Sequence, residues 1–341
     1  MKHFKSLALL AVASIAMMTS CQTTPVAEGD YDNYPVYKGD DLELTVGENG
    51  TKFTLWSPTA DSVVVRIYNE GMGGEPVEMR YMERKSQQEP WRATFDEALY
   101  GKFYTFSIHH NGEWLNETPG AYARAVGVNG RRAAIIDMAA TNPEGWENDV
   151  RPALNQFTDI IIYEMHHRDF SIHASAGNQY GGKFLALTQE GTQSPEGEMT
   201  GIDHLKELGI THVHILPSYD YGSVNESRPD SAQYNWGYDP VNYNTPEGSY
   251  STNAFDPATR IREMKQMVQA LHKNGIRVIL DVVYNHTFVG DGSNFSLTTP
   301  GYYYRHNAEG GYADASGCGN ETASEREMMR DYIVNSVKYW A

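Results

Sequence analysis

Apolar and polar positions alternate with a period of two over the first third of the chain. Thr51-Lys52-Phe53-Thr54-Leu55-Trp56 alternates, and Ser62-Val63-Val64-Val65-Arg66-Ile67-Tyr68 is β-branched. Trp91-Arg92-Ala93-Thr94-Phe95 and Phe103-Tyr104-Thr105-Phe106-Ser107-Ile108 alternate again. Glu70-Gly71-Met72-Gly73-Gly74 and His110-Asn111-Gly112 are turn signals between such runs. Several short strands at this spacing predict an all-β sandwich over residues 41–140.

Thr141-Asn142-Pro143-Glu144-Gly145-Trp146 breaks the pattern, and from about residue 150 strand-like and helix-like segments take turns. Asp159-Ile160-Ile161-Ile162-Tyr163-Glu164 is a short apolar run, the composition of a parallel strand buried on both faces. Thr200-Gly201-Ile202-Asp203 has the spacing of a capping box, opening a helix with Ile202, Leu205 and Leu208 inward and Gly209 at its end. His212-Val213-His214-Ile215-Leu216 predicts a second strand, stopped by Pro217. From Pro217 to Asp256 runs a loop of about 40 residues, a length that usually signals function in a compact domain. Asp256 then caps a helix with Pro257 at its first position, and Ile261, Met264, Val268 and Leu271 recur at helical spacing. Gly275-Ile276-Arg277-Val278-Ile279-Leu280-Asp281 predicts a third strand. After a second long loop, Ser324-Glu325-Arg326-Glu327 has capping-box spacing, before a stripe of Met329, Ile333, Val337 and Trp340. Strand and helix in alternation predict a parallel sheet with right-handed crossovers. A dinucleotide-binding sheet and an eight-stranded barrel both begin this way. Tyr163-Glu164-Met165-His166-His167 has no glycine to cradle a pyrophosphate, which favours a (β/α)8 TIM barrel.

The N-terminus changes the picture of where the protein works. Lys2 and Lys5 precede an apolar run, Leu7 to Met18, too short to span a bilayer. Met18-Thr19-Ser20-Cys21 resembles a bacterial lipobox. That resemblance implies a signal peptide over 1–20 and lipid on Cys21. The protein would then be held outside the cytoplasm on a bacterial membrane, the outer membrane or cell surface favoured. Cys21 and Cys318 are the two cysteines of the chain. With Cys21 lipidated, an intrachain disulfide and a cysteine metal site are both excluded. Residues 21–40 are rich in Thr, Pro, Gly, Asp and Asn and predict a tether. The net charge of −17 argues against nucleic acid and anionic membrane surfaces as charge-driven partners and suits a neutral ligand.

Two runs carry the chemistry: Tyr234-Asn235-Trp236-Gly237-Tyr238-Asp239-Pro240, and Asp281-Val282-Val283-Tyr284-Asn285-His286. The second follows the third predicted strand; the first lies in the long loop one strand earlier. In a barrel, residues at the C-terminal strand ends open into one pocket. Tyr238, Asp239, Asp281, Asn285 and His286 would meet there.

These runs resemble the pullulanase-type branch of glycoside hydrolase family 13, the α-amylase family. Ile162 to Phe170, Tyr243 to Thr252, Ser316 to Glu321 and Val337 to Trp340 agree with it, so the resemblance covers residues 41–341. It implies that the sandwich is similar to a carbohydrate-binding module of family 48, and that 150–341 hold the first three strands of an incomplete barrel. It implies retaining hydrolysis of α-1,6 linkages in branched α-glucans (pullulan, starch, glycogen), with no organic cofactor. Tyr238 would stack on the sugar at the cut. Asp239 would bond near that sugar or fix the loop. His286 would donate to sugar hydroxyls. Asp281 would orient an arginine rather than act as nucleophile. Asn285 would support the loop, in many relatives through a calcium ion, which oxygen ligands suit. The nucleophile and the acid/base Glu are expected after Ala341, so the chain as given is expected to be inactive by itself. Glu164, Asp169 and Asp220 are further carboxylates, unmarked as a catalytic pair. Trp56, Trp91 and Trp114 are candidate glucan contacts, with Trp56 expected in the core. A reading from another class is a non-catalytic surface lipoprotein that binds glucan.

Overall fold

The computed structural model describes residues 26–229 and 231–341. The proposed signal segment and Cys21 lie outside the described residues. The alternating runs of the first third become β1 (Glu43–Gly47), β2 (Gly50–Leu55), β3 (Ser62–Tyr68), β4 (Glu78–Tyr81), β5 (Trp91–Phe95), β6 (Phe103–His110), β7 (Glu113–Trp114) and β8 (Ala133–Ala134). One antiparallel sheet has the order β1-β2-β5; the other is β4-β3-β6-β7, with β8 also on β6. The alternation predicts the inward face correctly. Phe53, Leu55 and Phe95 from one sheet meet Val63, Val65, Ile67, Phe106 and Ile108 from the other. Each such side chain contributes about 1.5–3 kcal/mol on leaving water. Trp91 is buried in this core, its indole N–H donating to the Ser57 carbonyl at 2.9 Å. Trp114 is exposed, beside the exposed Tyr81.

The second half contains β9 (Ile162–Met165), α1 (His167–Ser171), α2 (Gly201–Glu207), β10 (His212–Ile215), β11 (Tyr219–Tyr221), β12 (Pro240–Pro246), α3 (Pro257–Lys273), β13 (Arg277–Leu280), α4 (Asn294–Thr298) and α5 (Glu327–Trp340). β9, β10 and β13 form a parallel sheet in the order β13-β10-β9, the arc of an incomplete barrel. Ile202 and Leu205 of α2 and Met264, Met267 and Leu271 of α3 pack on Val213 and Ile215.

Four expectations need correction. β9 is not buried on both faces: Ile162 is 53% exposed, because β9 is an edge of the sheet among the described residues. Thr200 makes no capping bond. Its hydroxyl donates to the Ala176 carbonyl, Asp203 accepts from the Gly191 N–H, and Leu208 is exposed. Likewise α5 starts at Glu327 without a side-chain cap, three residues after Ser324. The stretch Pro217–Asp256 is not one loop. Its β11 and β12 form an antiparallel ribbon with an irregular register.

The described part of the tether is also docked rather than free. Tyr34 is only 4% exposed and stacks on Tyr302, with ring centroids 5.3 Å apart. The Pro35 carbonyl accepts the Trp56 indole N–H at 2.9 Å. Lys38 pairs with Glu327 and Asp331 of α5. Polar composition hid three tyrosines, Tyr31, Tyr34 and Tyr37, whose rings have apolar partners to reach. They join a third core between sandwich and barrel, which holds Trp56, Phe295, Met328, Met329 and seven of the chain's 23 tyrosines in fully buried positions. Much of the aromatic content therefore serves as cement between the two halves.

Candidate active site

The candidate site residues gather at the C-terminal end of the parallel sheet. Asp281 follows β13 directly, and its N–H donates to the Ile215 carbonyl of β10 at 3.1 Å, which pins it beside the neighbouring strand. The loop before β12 reaches over to it. The Tyr238 hydroxyl donates to Asp281 Oδ2 at 2.9 Å. Gly237 makes the turn possible: its φ is +93°, and a Cβ there would sit 2.7 Å from the Pro217 carbonyl oxygen. Asn235 ties the loop internally, accepting from the Gly237 N–H at 2.8 Å and donating to Asp239 at 2.7 Å. From the end of β9, His166 Nε2 lies 2.8 Å from the Asn235 carbonyl, so that nitrogen carries the proton. Burial lowers the pKa of His166, consistent with a neutral ring.

The five predicted residues come together, but with different roles. Tyr238 is half-buried; burial and then the Asp281 contact push its hydroxyl up to about 12, so it stays a donor at neutral pH. Asp239 faces the loop: Oδ1 accepts from Asn235, Oδ2 from the Ser223 hydroxyl at 2.5 Å. Of its two expected roles, loop fixation is the one observed. His286 is buried, with Nδ1 3.0 Å from Asn285 Oδ1 and Nε2 2.8 Å from the Tyr238 carbonyl. Both ring nitrogens are engaged with protein. In this structure His286 steadies Tyr238. The exposed Asn285 supports His286 and accepts the Thr322 N–H at 2.9 Å.

Residues 171–295 match the α-amylase catalytic domain, and residues 41–123 match carbohydrate-binding module 48, the isoamylase N-terminal domain. The chain is 40% identical over 310 residues to a pullulanase of Bacillus subtilis (strain 168), covering 91% of this chain and 42% of that protein. It is 33% identical over 336 residues to the chloroplastic pullulanase 1 of Arabidopsis thaliana, covering 85% of this chain and 34% of that one. A solved structure of a Paenibacillus barengoltzii pullulanase mutant complexed with maltotriose superposes with a TM-score of 0.89 at 50% identity, over 92% of this chain and 49% of that chain. Along about nine-tenths of its own length the chain is similar to pullulanases. It spans less than half the length of these relatives.

The resemblance raises the question of calcium at Asn285. The residues there do not fit one: the side-chain oxygen is already against His286. The single group of three clustered metal-ligating side chains among the described residues is Asp220, Glu226 and Glu247, elsewhere. That group is occupied by a cation of the protein's own. Arg260 of α3 is fully buried, its guanidinium donating to Asp220 Oδ1 at 3.1 Å and to Glu226 Oε2 at 2.8 Å. Every carboxylate oxygen has a donor. Asn242 serves Asp220, Gly248 and Asn129 serve Glu226, and Ser249 and Tyr221 serve Glu247. Asp220 is thereby a structural anchor of the β11–β12 ribbon. Glu226 also links the two halves: its N–H donates to the Asn129 side chain while its carboxylate accepts the Asn129 N–H.

Sequence reasoning missed two features of the pocket. Tyr234 and Trp236 present exposed rings at its rim, 52% and 59% accessible. Within the sheet, His214 stands between Glu164 and Asp281. The available signal was the strand period, which puts His214 on alternate positions with the apolar Val213 and Ile215.

Proposed function

We propose that this chain supplies the glucan-holding part of a pullulanase-type debranching enzyme, one that hydrolyses α-1,6-glucosidic linkages in pullulan, starch or glycogen-derived glucans. The observation that carries this reading is the closure of the Tyr234–Pro240 loop onto the strand end through Tyr238 and Asp281. The ring of Tyr238 offers a flat apolar face to the C–H face of a pyranose, and its hydroxyl, tied to Asp281, sets the tilt. His286 holds the same residue by its carbonyl. Tyr234 and Trp236 extend the aromatic surface. The likeness to a relative complexed with maltotriose supports an α-glucan as ligand.

The retaining route needs two carboxyl groups about 5 Å apart, a nucleophile and an acid/base. Asp220 is buried on Arg260, Asp239 is spent on the loop, and Asp281 is bound to Tyr238. These residues bind and orient. The chemistry of bond cleavage belongs to the carboxyl groups expected from the fourth and fifth strands of the whole protein.

Digestion of pullulan by the full-length protein tests the reading. Maltotriose as product supports α-1,6 cleavage, and panose would show α-1,4 cleavage. Retardation in pullulan gels without any product would favour the non-catalytic glucan-binding alternative.

The same proposal places the protein outside the cytoplasm, anchored through lipid on Cys21. Lys2, Lys5 and the Leu7–Met18 run before Cys21 support this. No helix among the described residues is long and apolar enough to cross a membrane. Cells fed labelled palmitate should label the protein, and Cys21→Ala should abolish the label. Labelling that survives the substitution would remove the anchor from the proposal.

A further inference from the structure

Glu164, His214 and Asp281 share one face of the three parallel strands. His214 in β10 is in register with Glu164 in β9 and with Ile279 in β13. Side chains alternate along a strand, so Asp281, two positions beyond Ile279, lies on the same face and one step nearer the pocket. The imidazole of His214 spans the gap. Its Nδ1 is 3.7 Å from Glu164 Oε2, and its Nε2 is 3.5 Å from Asp281 Oδ2. The same Oδ2 accepts the Tyr238 hydroxyl at 2.9 Å. Asp281 is therefore hydrogen-bonded from the loop side by a phenol and flanked on the strand side by an imidazole at charge-contact distance. Its side chain is 21% exposed and that of His214 29%, so this contact is partly shielded from water, whereas Glu164 is 64% exposed. Burial, and after it the charge of Asp281, also raises the pKa of the buried Tyr219 hydroxyl.

We propose that His214 is a positioning residue for the sugar pocket. It supports the Asp281 carboxylate from the strand side, and Asp281 fixes the ring of Tyr238. His214 itself touches no substrate. Without it, the carboxylate loses its strand-side neighbour and, among the described residues, keeps Tyr238 as its side-chain contact at this oxygen, so the ring is held less firmly in its tilt. This rests on the reading of Tyr238 as the sugar platform.

The test uses the full-length protein with His214→Leu and His214→Gln. His214→Leu should raise KM for pullulan about tenfold, equivalent to about 1.4 kcal/mol. Its kcat should fall less, and its melting temperature should stay close to the wild-type value. His214→Gln keeps an N–H donor and should recover most of the loss. In an Asp281→Asn background His214→Leu should add little, because the two residues act through one contact. Wild-type KM in His214→Leu, or effects of His214→Leu and Asp281→Asn that multiply, would overturn the proposal. A readout independent of activity is the ring Nε2 resonance of His214 in protein labelled with 15N-histidine, assigned by its loss in His214→Gln. It should shift on Asp281→Asn and stay put on Glu113→Gln. If the protein cleaves no pullulan but this resonance follows Asp281, the debranching reading fails and the positioning contact stands. A resonance indifferent to Asp281 sinks the contact whatever the activity.

Discussion

Replacing Arg260 with Met removes the cation from a site that holds three buried carboxyl groups. The guanidinium makes two ion pairs, 3.1 Å to Asp220 and 2.8 Å to Glu226, and two further bonds to the carbonyls of Pro246 and Ala254. Met fills most of the stem volume, so the loss is electrostatic rather than a cavity. Breaking a buried pair from one side costs about 3–5 kcal/mol, because the partner is left charged and dry. Here two partners are stranded, with a third carboxylate within 4.8 Å. The upper part of that range is expected. At about 2–4 °C per kcal/mol for a domain of this size, the melting temperature should fall by about 10–15 °C. The intact site already has three acids for one base. Burial, then the charge of Glu226, raises Asp220 from 3.8 to about 7, and burial also raises Glu247 well above its usual 4.5. A folded pKa above the unfolded one means that the native state binds the extra proton. Stability is then fullest below pH 3.8 and drains away as pH climbs toward 7. Arg260→Met should accordingly be worse at pH 8 than at pH 5. Glu247→Gln is neutral at every pH, so its stability relative to wild type should improve as pH rises. The buried Glu43, pushed up to about 8, and the buried His167, lowered to about 3, act on both proteins and cancel in that difference. Calorimetric melts at pH 5, 6.5 and 8 decide the matter. An Arg260→Met protein within 1 kcal/mol of wild type, or parallel pH curves for wild type and Glu247→Gln, would refute the reasoning.

Tyr238→Phe keeps the stacking face and loses the bond to Asp281. A hydrogen bond to a charged group is worth about 1.5–3 kcal/mol, so kcat/KM of the full-length protein on pullulan should fall roughly 10–100-fold with little change in melting temperature. Gly237→Ala puts a methyl against the Pro217 carbonyl at a φ of +93°. It should cost about 1–3 kcal/mol of stability and raise KM by displacing the loop; an unchanged KM would detach Gly237 from the pocket. Tyr34→Ala removes a buried ring from the interface between the two halves, and should cost about 3–5 kcal/mol and expose residues 26–40 to limited proteolysis. A free tether would show neither change.

The period-two runs placed β2, β3, β5 and β6 within a residue or two, because burying one face of a sheet enforces alternation on the sequence itself. The same holds for α3, where Asp256 caps and Ile261, Met264 and Leu271 face inward. The capping motifs at Thr200 and Ser324 failed. A hydroxyl near a helix start has several acceptors within reach, and Thr200 found the Ala176 carbonyl instead.

In the site, residue types were legible and their partners were not. The two runs announced Tyr238, Asp239, Asp281, Asn285 and His286, and folding did gather them. Which oxygen or nitrogen each one meets depends on a loop and a strand 43 positions apart, as between Tyr238 and Asp281. So Asp239 ties the loop and His286 supports Tyr238, contacts that residue type alone does not specify. Arg260 shows the limit most clearly. Its place one turn before Met264 puts it on the inward stripe of α3, but the sequence does not say what neutralises it there; β11, the residues after β12 and the Asn129 turn bring carboxylates and carbonyls around it, and it is fully buried. Local pattern thus determined which segments are strands and helices and which residues carry chemistry, since those follow from period and side-chain type. The tertiary structure alone decided the docked Tyr34 segment, the buried charge cluster and the Glu164–His214–Asp281 line. Each of these depends on pairing between groups far apart in the chain, which no local period encodes.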